Sequence, residues 1–112
     1  MKRDDRVYLL HILDAVEQIE HYVQGFNYET FMRSRLVQDG VIRQLEIIGE
    51  ASKNLSKTTR NNSQEVPWRD MAGMRDVLIH QYFGVDLSAV WDTVKQDMPE
   101  LKQCLVKLIE NS

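Results

Sequence analysis

The sequence has one cysteine, two prolines and no long apolar run. Since Cys104 is the only cysteine, no intramolecular disulfide can form, and its apolar-periodic surroundings predict a buried structural thiol. No apolar run approaches the about 20 residues that a transmembrane helix requires. The first residues, Met-Lys-Arg-Asp-Asp-Arg, lack the apolar segment of a secretory signal. These absences favour a cytoplasmic protein without membrane attachment.

Sequence motifs for several common chemistries are also missing. There is no Gly-rich phosphate loop, no Gly-x-Ser-x-Gly elbow and no cysteine pair, so P-loop nucleotide hydrolysis, serine esterase chemistry and zinc binding have no support. His11 and His21 would lie about 15 Å apart along one helix, too far to share a metal. We therefore expect neither a metal nor a cofactor.

Helical periodicity dominates the sequence, and no segment alternates with period two. A first stripe predicts a helix over roughly residues 4 to 24, with Gly25 as its stop; its members are Leu9, Ile12, Val16, Ile19 and Val23. Asn27 can cap a short turn after it. A second stripe predicts a helix from about residue 36 to 55; its members are Val37, Val41, Leu45, Ile48 and Leu55.

The second half of the chain carries the remaining helix signals. Residues 56 to 66 are polar and without periodicity, which predicts the one substantial loop. Pro67 suits the first turn of a third helix ending at Gly84, Asp86 can cap a fourth, and Pro99 can open a last one through Ile109. Residues 1–112 are thus expected to form one all-α domain, an up-and-down bundle of about four to five helices.

Charge is distributed unevenly along the chain, whose formal net charge is −3. Residues 33 to 75 hold eight Lys and Arg against five Asp and Glu, or +3, and the remainder holds six against twelve, or −6. Because phosphate responds to a local basic surface, this region is compatible with RNA binding, and equally with an ordinary solvated helix surface. The basic residues concerned are Arg33, Arg35, Arg43, Lys53, Lys57, Arg60, Arg69 and Arg75.

Reactive side chains are densest in residues 75 to 82, Arg-Asp-Val-Leu-Ile-His-Gln-Tyr. On a helix turning about 100° per residue, Asp76 and His80 are i,i+4 neighbours, and Tyr82 returns to nearly the stripe of Arg75. Arg75 and His80 point about 140° apart and flank one face. One copy of this helix therefore presents an incomplete site with a single imidazole.

The pattern Arg-x4-His-x-Tyr resembles the signature of the HEPN ribonuclease superfamily, and its trailing tyrosine is similar to the HepT-like toxin branch. The flanking segments resemble that family in order and spacing: Leu-Glu-Ile-Ile-Gly-Glu-Ala at 45–51, Val-Pro-Trp-Arg-Asp at 66–70, Gly-Met-Arg at 73–75 and Tyr-Phe-Gly-Val-Asp at 82–86. Many relatives have Asn directly after the arginine, where this chain has Asp76.

The resemblance implies a HEPN-like bundle that acts as a metal-independent endoribonuclease toxin and works as a homodimer. It further implies an RNA substrate and a minimal nucleotidyltransferase antitoxin that adenylylates Tyr82. Arg75 would bind phosphate, His80 would act as base or acid, and Asp76 would orient the imidazole. An imidazole titrating near neutrality and a permanently charged guanidinium suit these roles.

Two other functions fit the same residues. The chain can be a HEPN-like adaptor that presents itself to the nucleotidyltransferase, with Arg75 and His80 in structural hydrogen bonds. It can also recruit nucleotides or small molecules while the partner modifies another target. Cleavage of RNA by the purified chain separates the ribonuclease from both.

Overall fold

Every regular element in the described part of this chain is helical. The computed structural model describes residues 3–68, Met71 and residues 85–111. Helix α1 spans Arg3–Tyr22, α2 spans Tyr28–Arg33, α3 spans Arg35–Lys53 and α4 spans Lys57–Asn62. Helix α5 spans Leu87–Asp92, a π-helical segment spans Thr93–Asp97, and α6 spans Met98–Glu110. The prediction of an all-α bundle is confirmed.

Local sequence signals account for the first turns and caps. Gly25 follows the end of α1 with a φ of 81°, in the left-handed region that glycine reaches without steric cost. Asn27 closes a capping box: its side chain accepts the Thr30 N–H at 2.9 Å, and its own N–H donates to the Thr30 hydroxyl at 2.9 Å. Ser34 then caps α3 by accepting the Val37 N–H at 3.3 Å. The predicted stop and cap of this region are confirmed.

Helix α1 lies between α3 and α6 and runs antiparallel to both. Its C-terminal Tyr22 ring lies against Gly40, near the start of α3. Arg6, near its N-terminus, donates to the Ile109 carbonyl at the end of α6 at 3.2 Å. Closer to its C-terminal end, Glu20 pairs with Lys102 at 2.9 Å. This arrangement agrees with the predicted up-and-down order.

The apolar stripes of these helices meet in one core cluster. Burying such side chains removes apolar surface from water, which stabilises the fold by about 25 cal/mol per Å² of surface buried. The stripes of α1 and α3 were predicted from the sequence, and their members that appear in the core are Leu9, Ile12, Val16, Ile19, Val41, Leu45, Ile48 and Leu55. Helix α6 adds Met98, Leu101 and Leu105. Cys104, expected to be buried, is only partly so.

The polar stretch after α3 is not a structureless loop, and that prediction was wrong. Residues Lys57–Asn62 form α4, whose cap Ser56 accepts the Thr59 N–H at 3.2 Å. The helix has no apolar stripe, and polar contacts with α1 stabilise it instead. Asp5 of α1, only 2% exposed, accepts the Ser56 N–H at 2.9 Å, and the Ser56 and Thr59 hydroxyls each donate to it at 2.6 Å.

Pro99 lies in the first turn of the last helix, as predicted, although this helix continues directly from the one before it. The backbone stays helical from α5 through the π-helical segment into α6, and Pro99 lies in the first turn of α6. The Met98 N–H donates to the Thr93 carbonyl, five residues back. This wider turn directly before Pro99 accommodates a residue without an N–H whose ring would crowd an ordinary α-helical turn. Asp86 caps α5 as predicted, accepting the Ser88 N–H at 3.0 Å.

Candidate functional site

The four residues predicted to carry the chemistry lie outside the described residues. These are Arg75, Asp76, His80 and Tyr82, and the greater part of the helix predicted from Pro67 to Gly84 lies outside them as well. The structure does describe the residues that lead into this segment and those that follow it.

The residues leading into the motif are anchored in the core. Trp68 is 5% exposed and Met71 is 4% exposed, and the Met71 N–H donates to the Pro67 carbonyl at 3.1 Å, the spacing of an α-helix. The Trp68 indole N–H donates to the hydroxyl of Ser63 at 3.0 Å. Both ends of that bond are buried, so the indole has the partner that a buried N–H requires. Trp68 and Met71 are therefore both helical.

The bond from Trp68 continues into a chain of polar contacts that ends on α1. The Ser63 hydroxyl donates to the Thr59 carbonyl at 2.6 Å, and the Thr59 hydroxyl donates to Asp5 at 2.6 Å. Asp5, Thr59 and Ser63 are all buried. Sequence reasoning missed this network, because Asp5 is indistinguishable in the sequence from an acid placed for the dipole of α1. The network ties α1, α4 and the entry to the motif together.

The residues following the motif are fixed by an aromatic contact. Trp91 on α5 packs against the fully buried Phe31 of α2, with ring centroids 5.0 Å apart and planes inclined by 34°. The Lys95 ammonium lies 5.3 Å from the Trp91 ring centroid, within reach of a cation–π interaction. Trp68 and Trp91 are therefore core residues.

The structure distinguishes the two interpretations of the basic region on α3. Arg35 lies 3.8 Å from Asp39, and Arg43 lies 3.4 Å from Glu46. Charges of opposite sign alternate along this exposed face, which is typical of a solvated helix surface and does not make a continuous phosphate-binding stripe. On α3 the ordinary surface is the better interpretation. Arg60, on α4, is partly buried, and its Nε has no hydrogen-bond partner among the described residues.

Metal-binding clusters and membrane-spanning helices are both absent from the described residues. Among them, no three His, Cys, Asp or Glu side chains converge where they could hold a metal ion. None of the described helices combines the length and apolar character needed to cross a membrane. His11 packs edge-on to Tyr8, with ring centroids 6.5 Å apart, which is a packing contact between neighbouring turns of α1.

The fold and the motif together define a class, an all-α protein with Arg-x4-His-x-Tyr between a buried Trp68 and the capping Asp86. The family described as ribonuclease HepT-like matches residues 12–108, a range that includes the whole motif. The chain belongs to this family.

Curated relatives agree with the family match. A protein of Thermococcus cleftensis named "Probable ribonuclease HepT" is 49% identical over 108 residues, covering 96% of this chain and 98% of the relative. A protein of Methanocaldococcus jannaschii named "Gamma-glutamylcyclotransferase and putative RNase" is 46% identical over 110 residues, covering 98% of this chain. This chain spans half the length of the latter relative. No solved structure matches the chain significantly.

Proposed function

We propose that this chain is a metal-independent endoribonuclease toxin whose active site contains Arg75, Asp76 and His80. The observation that carries the proposal is the complete Arg-x4-His-x-Tyr motif inside a family match that spans residues 12–108. The names of the two relatives, which contain the words ribonuclease and RNase, support the same substrate class. RNA is therefore the proposed substrate.

The proposed reaction needs only groups that the motif supplies. An imidazole of His80 takes the proton of the 2′-hydroxyl, whose oxygen attacks the adjacent phosphorus, and the bond from phosphorus to the 5′-oxygen breaks. A protonated imidazole returns a proton to that leaving oxygen, so the products are a 2′,3′-cyclic phosphate and a 5′-hydroxyl. Arg75 stabilises the charged phosphorane through its planar guanidinium. Asp76, one turn before His80, orients the imidazole.

Two imidazoles are needed for this scheme, and one copy of the motif supplies one. A two-fold homodimer in which the motif helices meet near the axis completes the set. Light scattering is expected to give the mass of a dimer at micromolar concentration. A monomeric chain that cleaves RNA would contradict the composite site.

The catalytic assignment is tested by substitution with a matched control. His80→Ala is expected to abolish RNA cleavage, and His21→Ala, at an exposed position on α1, to leave it unchanged. Arg75→Lys keeps the charge and loses the bidentate fork, so cleavage should fall without a change in fold. Cleavage should persist in EDTA and leave a cyclic phosphate end, read by mass spectrometry of a short RNA. Loss of cleavage in EDTA, or full activity of His80→Ala, would contradict the mechanism.

Control of the toxin is proposed to act through Tyr82. A minimal nucleotidyltransferase antitoxin would join the Tyr82 phenol oxygen to the α-phosphorus of ATP and release pyrophosphate. The attached adenylyl group adds a negative charge and a purine two residues after His80, where it would compete with RNA for Arg75.

This part of the proposal has its own experiment. Incubation with the nucleotidyltransferase and ATP is expected to add adenylyl mass and stop cleavage. Tyr82→Phe should block both effects while still cleaving RNA, and Tyr28→Phe, at an exposed position on α2, should behave as the parent. An adduct on Tyr8, Tyr22 or Tyr28 would remove Tyr82 from this role. A purified chain that is adenylylated and never cleaves RNA would be an adaptor.

A further inference from the structure

A cavity of 310 Å³ lies between the residues leading into the motif and the last helix. Its apolar lining includes Val66 and Met71 on one side and Met98 and Leu101 on the other. Methionine side chains adapt their shape to an inserted apolar group, and they are common at surfaces that accept such groups from partners. The volume is ample for an aliphatic side chain, and the lining suits an apolar group.

Three carboxylates line this cavity: Glu65, Asp97 and Glu100. None of the three accepts a hydrogen bond or pairs with a cation within the described part of the chain. Unpaired negative charge around an apolar pocket favours an occupant that carries positive charge beside its apolar group. The complementary ligand is an aliphatic side chain flanked by arginine or lysine.

The same chain presents such a group on its surface. Leu36, in the first turn of α3, is 84% exposed, the most exposed of the large apolar side chains described. Arg33 and Arg35 precede it by three and one residues, and both are exposed, although Arg35 also lies 3.8 Å from Asp39 of its own helix. Met32, at the end of α2, is 38% exposed and extends this apolar and basic surface. Because Leu36 faces solvent, it does not fill the cavity of its own chain.

We propose that Leu36 of one copy inserts into the cavity of a second copy, with Arg33 and Arg35 facing the carboxylates around it. The contact joins two different surfaces of the chain. Formed once between two copies it links copies into rings or filaments, and formed reciprocally it closes a two-fold dimer. Its small area makes it weak, so it forms at high concentration or where another interface already holds copies together. It involves none of the proposed catalytic residues, so it can be tested independently of the ribonuclease activity.

Sedimentation velocity over a concentration series tests this contact on the full chain. The parent is expected to show a concentration-dependent increase in mass beyond its basal oligomer. Leu36→Asp should weaken that association about tenfold or more, because burying a leucine side chain contributes at least one decade in affinity. The double change Glu65→Lys/Glu100→Lys should also weaken it, because it places cations opposite Arg33 and Arg35. Val7→Asp, at a 45% exposed position on α1, is the matched control and should leave it unchanged.

Mixing the two defective variants tests whether Leu36 and the cavity are partners. The Leu36→Asp protein keeps an intact cavity, and the double variant keeps an intact Leu36. A mixture of the two should therefore associate although neither does so alone. Failure of the mixture to associate would contradict the insertion of Leu36 into the cavity.

Cys104 lines the cavity and allows a position-specific test. Leu36→Cys places a second thiol on the inserting group, so mild oxidation should give a disulfide between position 36 of one copy and Cys104 of another, located by mass spectrometry. Val7→Cys should not give this bond. A parent whose mass is independent of concentration, together with no bond to Cys104, would overturn the proposal. Uptake of a basic amphipathic peptide by such a protein would instead assign the cavity to another partner.

Discussion

The bond between Ser63 and Trp68 yields the sharpest stability prediction. Ser63 is fully buried and bonds in two directions: its hydroxyl donates to the Thr59 carbonyl and accepts the Trp68 indole N–H. Ser63→Ala removes this hydroxyl, so the Thr59 carbonyl loses a donor and the Trp68 indole N–H loses its acceptor. A buried polar group that loses its partner costs about 1–3 kcal/mol, so we expect the free energy of unfolding to fall by about 2–4 kcal/mol.

Ser52→Ala provides a matched control. Ser52 is as buried as Ser63, and its hydroxyl donates to the Ile48 carbonyl at 2.7 Å in its own helix. It accepts no indole N–H, and alanine is the better helix former, so its replacement should change stability by less than about 1 kcal/mol. Urea unfolding followed by far-UV circular dichroism measures both variants, with an unchanged m-value as the check on two-state behaviour.

A double-mutant cycle isolates the indole bond. Trp68→Phe removes the N–H, so in that background Ser63→Ala should cost about 1 kcal/mol less than in the parent. If Ser63→Ala costs the same in both backgrounds within about 0.5 kcal/mol, the bond contributes nothing and the reasoning is refuted. A large cost in the control would show that buried serines in general, and not this network, determine the effect.

Two further predictions concern glycine and an exposed ion pair. Gly25→Ala should lower the free energy of unfolding by about 1–2 kcal/mol because alanine is strained at a φ of 81°. Gly40→Ala should lower it by less, since its added Cβ meets only the partly exposed Tyr22 ring at 3.2 Å and the helix gains propensity. Urea unfolding that gives the reverse order would contradict this prediction. Glu20 raises the pKa of Lys102 above 10.5 through its hydrogen bond and its charge. Because the pKa of Lys102 is higher in the folded state, the ion pair stabilises the fold fully below about pH 10.5. This stabilisation is lost as the pH rises through the raised pKa of the folded state. The difference in the free energy of unfolding between the parent and Lys102→Gln, measured by urea unfolding across pH, should therefore become smaller at alkaline pH. A difference that becomes larger at alkaline pH would refute the assignment.

Several elements of the fold were readable directly from short stretches of sequence. The stop at Gly25, the capping box of Asn27 and the cap at Asp86 depend on residues within three positions of one another. The stripes of α1 and α3 were equally readable, because a helix that packs on one side must repeat its apolar residues every three or four positions. The candidate site was predicted in the same way, from Arg-x4-His-x-Tyr and its flanks. The family match supports that motif, and the four roles assigned to it stay predictions.

Tertiary contacts decided the features that sequence reasoning got wrong. Helix α4 has no periodic signal because its stability comes from Asp5, more than fifty positions earlier in the chain. The π-helical turn that joins α5 to α6 was not predicted, although Pro99 lies in the first turn of α6 as expected.

The basic count of residues 33 to 75 left RNA binding and a solvated surface equally open until α3 was seen to pair Arg35 with Asp39 and Arg43 with Glu46. Caps and stripes are local because their partners lie within one or two turns. Buried polar networks and exposed charge patterns depend on which helices become neighbours, and that is determined only when the whole core packs.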